Sequence, residues 1–399
     1  MSTTADNESV TLGGAWIGLA PARIAVVSTL DRHPPEGGSV ASVTSWDTEP
    51  ARVSRATVAD VARLAEVSTK TVSRALSGAP NVDPDTRARV LEAARRLHFR
   101  PNALARELRS GGPARTVGFV IGDATNPFYM LVAAGIERVL AGRGLHLMIA
   151  ATDDQSRREA EAVSAMLARQ VRALLLVPIA TDNAYLEAER QFGLPIVAVD
   201  RPLVNAVSDS VVFDNRAGAR AGVAALIAAG HRRIGFVGST ESLYTHRERL
   251  AGFREAIDLA GIPHSDAPER TDGPDIESAD RATRALLTDH PDLTAVFAGN
   301  NRASIGVLQA SRALGREIGV IGFDDIELAD AIGLSVVAHD PQRMGEVAAE
   351  LALQRLEQPS AVAEQVVLPT RVVLRGSELR GLSPRPEDRR PQRDLSPAT

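Results

Sequence analysis

The sequence predicts an all-α helix-turn-helix head followed by an α/β body of doubly wound parallel sheets. Two observations lead there. Between Thr57 and Gly78, TVADVARLAEVSTKTVSRALSG, two short amphipathic segments flank a tight connection. From Thr116 onward, short runs of Val, Ile, Leu and Ala alternate with stretches of helical period. Near-continuous apolar strands separated by helices mean parallel sheets covered on both faces. A third observation marks the head as a special surface. Lys70 is the only lysine, and every other basic residue among the 45 Lys+Arg is an arginine.

In the head, Thr57 is expected to cap a first helix, with Asp60 as its acidic partner three positions on. Val61, Leu64 and Ala65 fall on one face at helical spacing. Small Ala62 allows a second helix to approach. Glu66-Val67 makes the connection, and Ser68 caps the second helix. There Val72, Ala75 and Leu76 face inward, leaving Thr69, Lys70, Ser73 and Arg74 outward. Gly78 and Pro80 end it. Asp83-Pro84 opens a third helix with a cap and a proline at its first position, and Val90, Leu91, Ala94 and Leu97 form its buried stripe. A short helix-like segment follows, RPNALARELRSGG from Arg100 to Gly112. It has a cap at Asn102, two leucines at Leu104 and Leu108, and Arg106 and Arg109. Alone it is too short to be stable.

Charge divides the chain. Residues 56–112 hold ten Lys/Arg against six Asp/Glu, a balance of +4, while the whole chain carries −5. A basic module on an acidic body fits a nucleic-acid-binding head on a separate sensor. Zero cysteines exclude disulfides and thiolate metal sites. No apolar run reaches about 18 residues, and no basic start precedes an apolar stretch, so a cytoplasmic protein without a membrane span is expected.

The body's strands are read at 117–121, 145–150, 173–178, 195–200, 233–238, 294–299, 318–323 and 372–377. Helices are read at 128–142 and 156–170. Ligands of open α/β sheets sit beyond the carboxyl ends of strands. The polar residues there are the candidates: Asp123, with Phe128 and Tyr129 opening the next helix, then Asp200-Arg201, Asn300 and Asp324-Asp325. Arg249 joins them from HRERLAGF. Carboxylates, an amide and an arginine bind vicinal hydroxyls in bidentate fashion, and an aromatic such as Phe128 covers the apolar face of a ring. Simpler roles stay open: Asp324-Asp325 as a helix cap, Asp214-Asn215 as an orderer of a crossover, Arg247 as surface.

Head, RPNALARELRSGG segment and alternating body together resemble the lactose-repressor (LacI/GalR) family of bacterial transcription regulators, from about Thr57 to Glu378. The resemblance implies a two-lobed sensor like periplasmic sugar-binding proteins, with three crossovers placed near Phe213, His339 and Pro369. It divides the covered chain into a helix-turn-helix domain (55–100), a hinge helix (101–112) and an effector-binding and dimerisation domain (113–380). Residues 1–54, which it does not cover, mix Gly, Ser, Thr and Pro with little periodicity and are read as a disordered extension or misread start, and the proline-rich, charged tail (381–399) as disordered. It further implies a homodimer on palindromic double-stranded operator DNA, no cofactor and no metal. The second helix would enter the major groove. Thr69, Lys70 and Arg74 would reach base edges, while Ser68, Thr71, Asn81 and Arg106 would hold phosphates. Leu108 would wedge into the minor groove from a hinge folded on DNA. Asp123, Phe128, Asp200, Arg249, Asn300 and Asp324 would bind a small effector, expected to be a sugar, with a purine-type co-repressor as the alternative. His231-Arg232-Arg233 resembles a structural signature instead. The chain departs from the family pattern at Asn300-Asn301, where Asn-Asp is usual, with Arg302 next, and at His339, where glutamine is frequent. An enzyme is not expected: no Gly-x-Ser-x-Gly elbow or GxxxxGK[ST] loop is present, and the body contains no lysine.

Overall fold

The computed structural model describes residues 56–99 and 115–382. Contacts divide the chain into two compact units, with the boundary after Pro101. The segment carrying Arg106 and Leu108, the first 54 residues and most of the tail lie outside the described residues.

The first unit holds α1 (Val58–Leu64), α2 (Thr69–Leu76) and α3 (Pro84–Arg96). Each starts on the cap its sequence offers. Thr57 and Asp60 form a reciprocal box: the Thr57 hydroxyl accepts from Asp60 N at 3.3 Å, and the Asp60 carboxylate accepts from Thr57 N at 2.9 Å. Ser68 accepts from Thr71 N at 3.1 Å and Asp83 from Thr86 N at 3.0 Å. Gly78, at φ 77°, closes α2 by letting Ala79 N–H reach back to Arg74 O at 3.1 Å. The core is small-residue packing of Val61, Ala62, Ala65, Val72, Ala75, Val90, Ala93 and Ala94. Two residues expected inside are not: Leu64 is 47% and Leu91 42% exposed. The stripe on α3 runs Val90, Ala93, Ala94, Leu97, an i, i+3, i+4, i+7 set. Leu91 sits about 100° off its axis. In α1 and its C-cap the buried set is Val61, Ala62 and Ala65, and the inclusion of Ala62 turns that axis about 100° away from Leu64.

The second unit contains two sheets of six strands. The first runs β2-β1-β3-β4-β5-β11, comprising β1 (Thr116–Ile121), β2 (His146–Ala151), β3 (Ala173–Leu176), β4 (Ile196–Val199), β5 (Asp209–Phe213) and β11 (Gln365–Leu368). All its pairs are parallel. The second runs β7-β6-β8-β9-β10-β12, comprising β6 (Ile234–Val237), β7 (Glu269–Arg270), β8 (Ala295–Ala298), β9 (Gly319–Phe323), β10 (Ser335–Ala338) and β12 (Arg371–Val373). The helices are α4 (Pro127–Ala141), α5 (Ser156–Ala168), α6 (Glu187–Gln191), α7 (Asn215–Ala229), α8 (Tyr244–Leu259), α9 (Ile276–Asp289), α10 (Asn301–Ala313) and α11 (Pro341–Glu357). No described helix is long and apolar enough to cross a membrane.

The near-continuous apolar runs follow from double coverage. In β1, Val117, Phe119 and Ile121 enter one core with Ile136 and Met344, while Val120 enters the opposite core with Val163 and Met166. Strand β8 divides in the same way, with Ala295 and Phe297 on one side and Val296 and Ala298 on the other. Period-two alternation thus needs an apolar residue at every position.

The chain passes between lobes three times: from Phe213 to Asn215, from Ala338 to Pro341, and from Leu368 to Arg371. The last passage adds an antiparallel pair to the otherwise parallel second sheet, β12 with β10. Strand β11 ends at the carboxyl edge of its sheet, with Leu368 opposite Phe213. Two residues later the chain enters the second sheet from its own carboxyl edge, Arg371 opposite Ala338. It can only run backwards there, since a parallel entry needs a crossover of a dozen residues or more.

Helix α11 returns through the second passage to pack on α4. A Cβ on Gly135 would lie 1.9 Å from Gln342 O, and one on Gly345 would lie 2.0 Å from Val132 O. Backbone meets backbone at both points. Alanine gains about 1 kcal/mol of helix propensity over glycine, but separating these helices costs more. Gly135→Ala and Gly345→Ala are each expected to lower stability by a net ~1–3 kcal/mol in urea unfolding. Unchanged midpoints would show that the helices are not so closely packed.

Candidate functional site

Helix α2 of the head presents Thr69, Lys70, Ser73 and Arg74 to solvent, held from behind by buried Val72 and Ala75. Ser68 and Thr71 are less free. Their hydroxyls lie 2.8 Å apart, and Ser68 also receives the Thr71 amide. Asn81 is exposed in the turn before α3. A cationic patch on a short helix with a rigid apolar back is a surface able to lie against an anionic polymer.

In the second unit, the carboxyl ends of both sheets face a cavity of about 360 Å³. That lies within the range of small-molecule sites, roughly 300–1,000 Å³. Asp123, Phe128, Asp200, Arg249, Asn300 and Asp324 all line it. Two of them occupy matching places. Asp200 follows β4 at φ 70° and Asp324 follows β9 at φ 72°. The Asp200 amide donates to Val211 O on the next strand at 2.8 Å, and the Asp324 amide donates to Val337 O at 3.0 Å. Aspartate tolerates the left-handed region better than most side chains, and the turn it makes aims each carboxylate off the sheet edge.

Asp324 is a buried anion in a dense set of donors. His339 Nε2 contacts Oδ1 at 2.7 Å, Arg249 Nη2 lies 3.3 Å from Oδ1, and Asn301 N donates to Oδ2 at 3.2 Å. Burial alone would raise its pKa, but the Arg249 charge and the His339 and Asn301 hydrogen bonds hold it far below the usual carboxylate range. Arg249, sixth residue of α8, is equally committed. Its Nε donates to Asn215 Oδ1 and its Nη1 to Gly299 O, both at 2.8 Å. Its guanidinium carbon lies 3.8 Å from the Phe323 ring centroid. Asp324 thus also serves a helix start, that of α10 through the Asn301 amide, while Asp325 accepts from Arg375 at 2.9 Å. Asp214 does cap α7, accepting from Ala217 N at 3.1 Å.

On the opposite wall Arg201 bonds Asp200 at 3.2 Å, Pro178 O at 3.2 Å and the Tyr129 hydroxyl at 3.0 Å. Burial lifts Tyr129 well above its ordinary pKa. Asp123 accepts from Thr125 N and Oγ1, each at 2.7 Å, and pairs with Arg302 from the other lobe. Beside that pair Asn301 Nδ2 donates to Asn126 Oδ1 at 3.0 Å, and Arg302 donates to Thr125 Oγ1 at 3.0 Å. The lobes thus meet through polar contacts across the cavity mouth.

Two titratable lining residues, Asp154 and His246, are absent from the sequence-based candidates, and Arg302 appears there only as the neighbour of Asn301. Asp154 follows β2, and the strand-end rule applied to 145–150 would have found it; burial raises its pKa, with the Asp123 charge adding to that. His246 lies three residues before Arg249, a helical spacing that places both on one face. Arg302 lies in the first turn of α10. His246 is pushed down to about 3, first by burial and then by the Arg249 and Arg201 charges. His231 stays structural, contacting Thr294 Oγ1 and Glu378 O at 2.9 Å each.

Residues 57–102 match the bacterial regulatory proteins of the lacI family, and residues 223–378 match a periplasmic binding protein-like domain. The ribose operon repressor of Haemophilus influenzae is 30% identical over 331 residues, 81% of this chain and 98% of that protein. This chain belongs to the lacI family. Among lacI-family structures, a lac repressor dimer bound to operator and an anti-inducer matches at TM-score 0.70 with 26% identity, covering 82% of this chain and all of that one. A complex of the transcriptional regulator CelR with cellobiose matches at TM-score 0.60 with 28% identity, covering 81% of this chain and 100% of that one. Asn301, Arg302 and His339 all fall on the cavity or its hinge, where each makes a contact described above.

Two outcomes follow from the buried charges. Asp324→Asn removes one partner of a buried pair and leaves Arg249 unmatched, so it is expected to cost ~3–5 kcal/mol in chemical unfolding without any ligand. A loss under 1 kcal/mol would show the pair to be solvated. The second outcome concerns His246. Between about pH 6.5 and 3 the unfolded chain binds a proton there that the folded chain refuses. Stability is full above that window and falls as pH drops through it, by up to about 1.4 kcal/mol per unit. His246→Gln is expected to flatten that slope between pH 7 and 5. Parallel slopes for the two proteins would place the ring in water.

Proposed function

We propose that this chain is a sequence-specific DNA-binding regulator, a homodimeric repressor of sugar-metabolism genes released by a small uncharged sugar. One observation carries the effector class. The cavity is lined by Asp123, Asp154, Asp200 and Asp324, and its three guanidiniums are each engaged: Arg201 with Asp200, Arg249 with Asp324 and Arg302 with Asp123. Burying a phosphate here would add negative charge to a wall with no unmatched cation. A polyol instead brings hydroxyls that both donate and accept, and Phe128 offers an apolar face. The cellobiose complex and the ribose operon repressor among its relatives support that class.

In the head, Thr69 and Lys70 at the start of α2 and Arg74 one turn on read base edges in the major groove. Ser68, Thr71, Asn81 and Arg106 hold phosphates, and Leu108 enters the minor groove. In the cleft, Asp123, Phe128, Asp200, Arg249, Asn300 and Asp324 hold the effector. The polar clasp between lobes gives the coupling its two-state element. A ligand that binds one lobe arrangement better shifts operator affinity by a coupling of about 1–3 kcal/mol.

The test is a gel-shift on the DNA upstream of this gene, repeated with ribose, galactose, cellobiose, ribose 5-phosphate and hypoxanthine. A neutral sugar is expected to release the DNA and raise the melting temperature by mass action. Release by hypoxanthine alone would replace the sugar with a purine effector. Lys70→Ala is expected to weaken binding to the preferred site by ~1–3 kcal/mol, with little loss on random DNA and no change in melting temperature. Equal weakening on both DNAs would make Lys70 a phosphate contact.

A further inference from the structure

We propose that His246 contacts the effector directly, its Nε2–H and the Asn300 side-chain amide clamping one acceptor oxygen of an uncharged ligand. The inference rests on the reading of the cleft as the effector site and adds a residue that the strand-end pattern does not supply.

Hydrogen accounting leads to it. Ser239 N–H donates to His246 Nδ1 at 3.2 Å. Nδ1 therefore presents its lone pair, and a neutral ring must carry its proton on Nε2. The ring is 6% exposed, and burial beside two guanidiniums favours the neutral form. Nε2 faces Asn300 Nδ2 at 3.2 Å. That amide cannot present its oxygen instead, because Asn300 Oδ1 accepts from Ala303 N at 2.7 Å as the cap of α10. Turning the amide would set its NH2 against the Ala303 N–H. Turning the ring would set a carbon against the Ser239 N–H. Two donors thus stand side by side and cannot bond each other.

Both side chains line the cavity. A third atom with lone pairs, placed there, satisfies both: a hydroxyl, ring ether or carbonyl oxygen. Arg249 and Asp324, by contrast, already have protein partners for their polar atoms. The donor pair is where the lobe still needs an acceptor.

The experiment is a long-range 1H–15N spectrum of the histidine side chains in the full-length protein at pH 7, with His246 assigned by its loss in His246→Gln. The ligand-free protein is expected to show the Nε2–H tautomer. Ribose, galactose, cellobiose, ribose 5-phosphate and hypoxanthine are then titrated, each also scored for operator release. The compound that releases DNA is expected to move the His246 Nε2–H resonance, and His246→Phe is expected to weaken its binding tenfold or more by calorimetry. An Nδ1–H tautomer overturns the clamp in the wild-type protein, whatever the variants do. So does a releasing sugar that leaves the resonance unmoved, in which case the sugar reading stands without the clamp. If hypoxanthine releases the DNA and moves the resonance, the clamp stands and the sugar reading falls. A panel in which nothing binds overturns both.

Discussion

A carboxylate buried at the end of β9 sets the terms for one wall of the cleft. Asp324 cannot remain charged there without partners, because an isolated buried carboxylate costs far more than a domain's net stability. Its partners therefore have to converge: Arg249 from α8, the Asn301 amide from the start of α10, and His339 from the second crossover. His339 in turn stacks on Phe213 of the first lobe, with ring centroids 4.1 Å apart, and meets Phe128 edge-on at 5.6 Å. One charge thus connects the cavity wall, a helix start and the hinge. The other lobe repeats the device more simply, with Asp200 held by Arg201 and Arg201 by Tyr129.

Between the lobes the contacts are of another kind. Asp123 with Arg302 is polar and partly exposed, and partly exposed Asn126 meets buried Asn301. Groups of this sort trade protein partners for water at little net cost, so opening the cleft leaves no large apolar surface bare at this point. Movement between two arrangements requires that economy. Asn301 and Arg302 line the cavity and also carry these contacts between the lobes.

The strand-end rule recovered the cleft because carboxyl ends of parallel strands share one edge of a sheet. Asp154 obeys it as well as Asp123 does. His246 was hidden for another reason. Its importance comes from a backbone amide seven residues earlier and an asparagine fifty-four residues later, and no periodicity encodes that meeting. In the head, caps and turns were readable to the residue, while the leucines at 64 and 91 were misplaced. Their hydrophobicity suggested burial, but helical phase left them beside the stripe.

What the sequence determined by itself was local or repetitive: the caps at Thr57, Ser68 and Asp83, the alternation of strand and helix, the polar residues at strand ends, and membership of a family. These follow from backbone propensities and from periods of two and 3.6 residues, which need no knowledge of distant neighbours. The tertiary structure alone decided the direction of β12, the saturation of Arg249 by Asn215, Gly299 and Asp324, the clasp joining residues 123 and 302, and the facing donors of His246 and Asn300. Each is a hydrogen-bond assignment between groups far apart in the chain. Such an assignment has meaning only when every donor and acceptor at the site has been placed, because a buried polar group must find its partner wherever the fold happens to bring one.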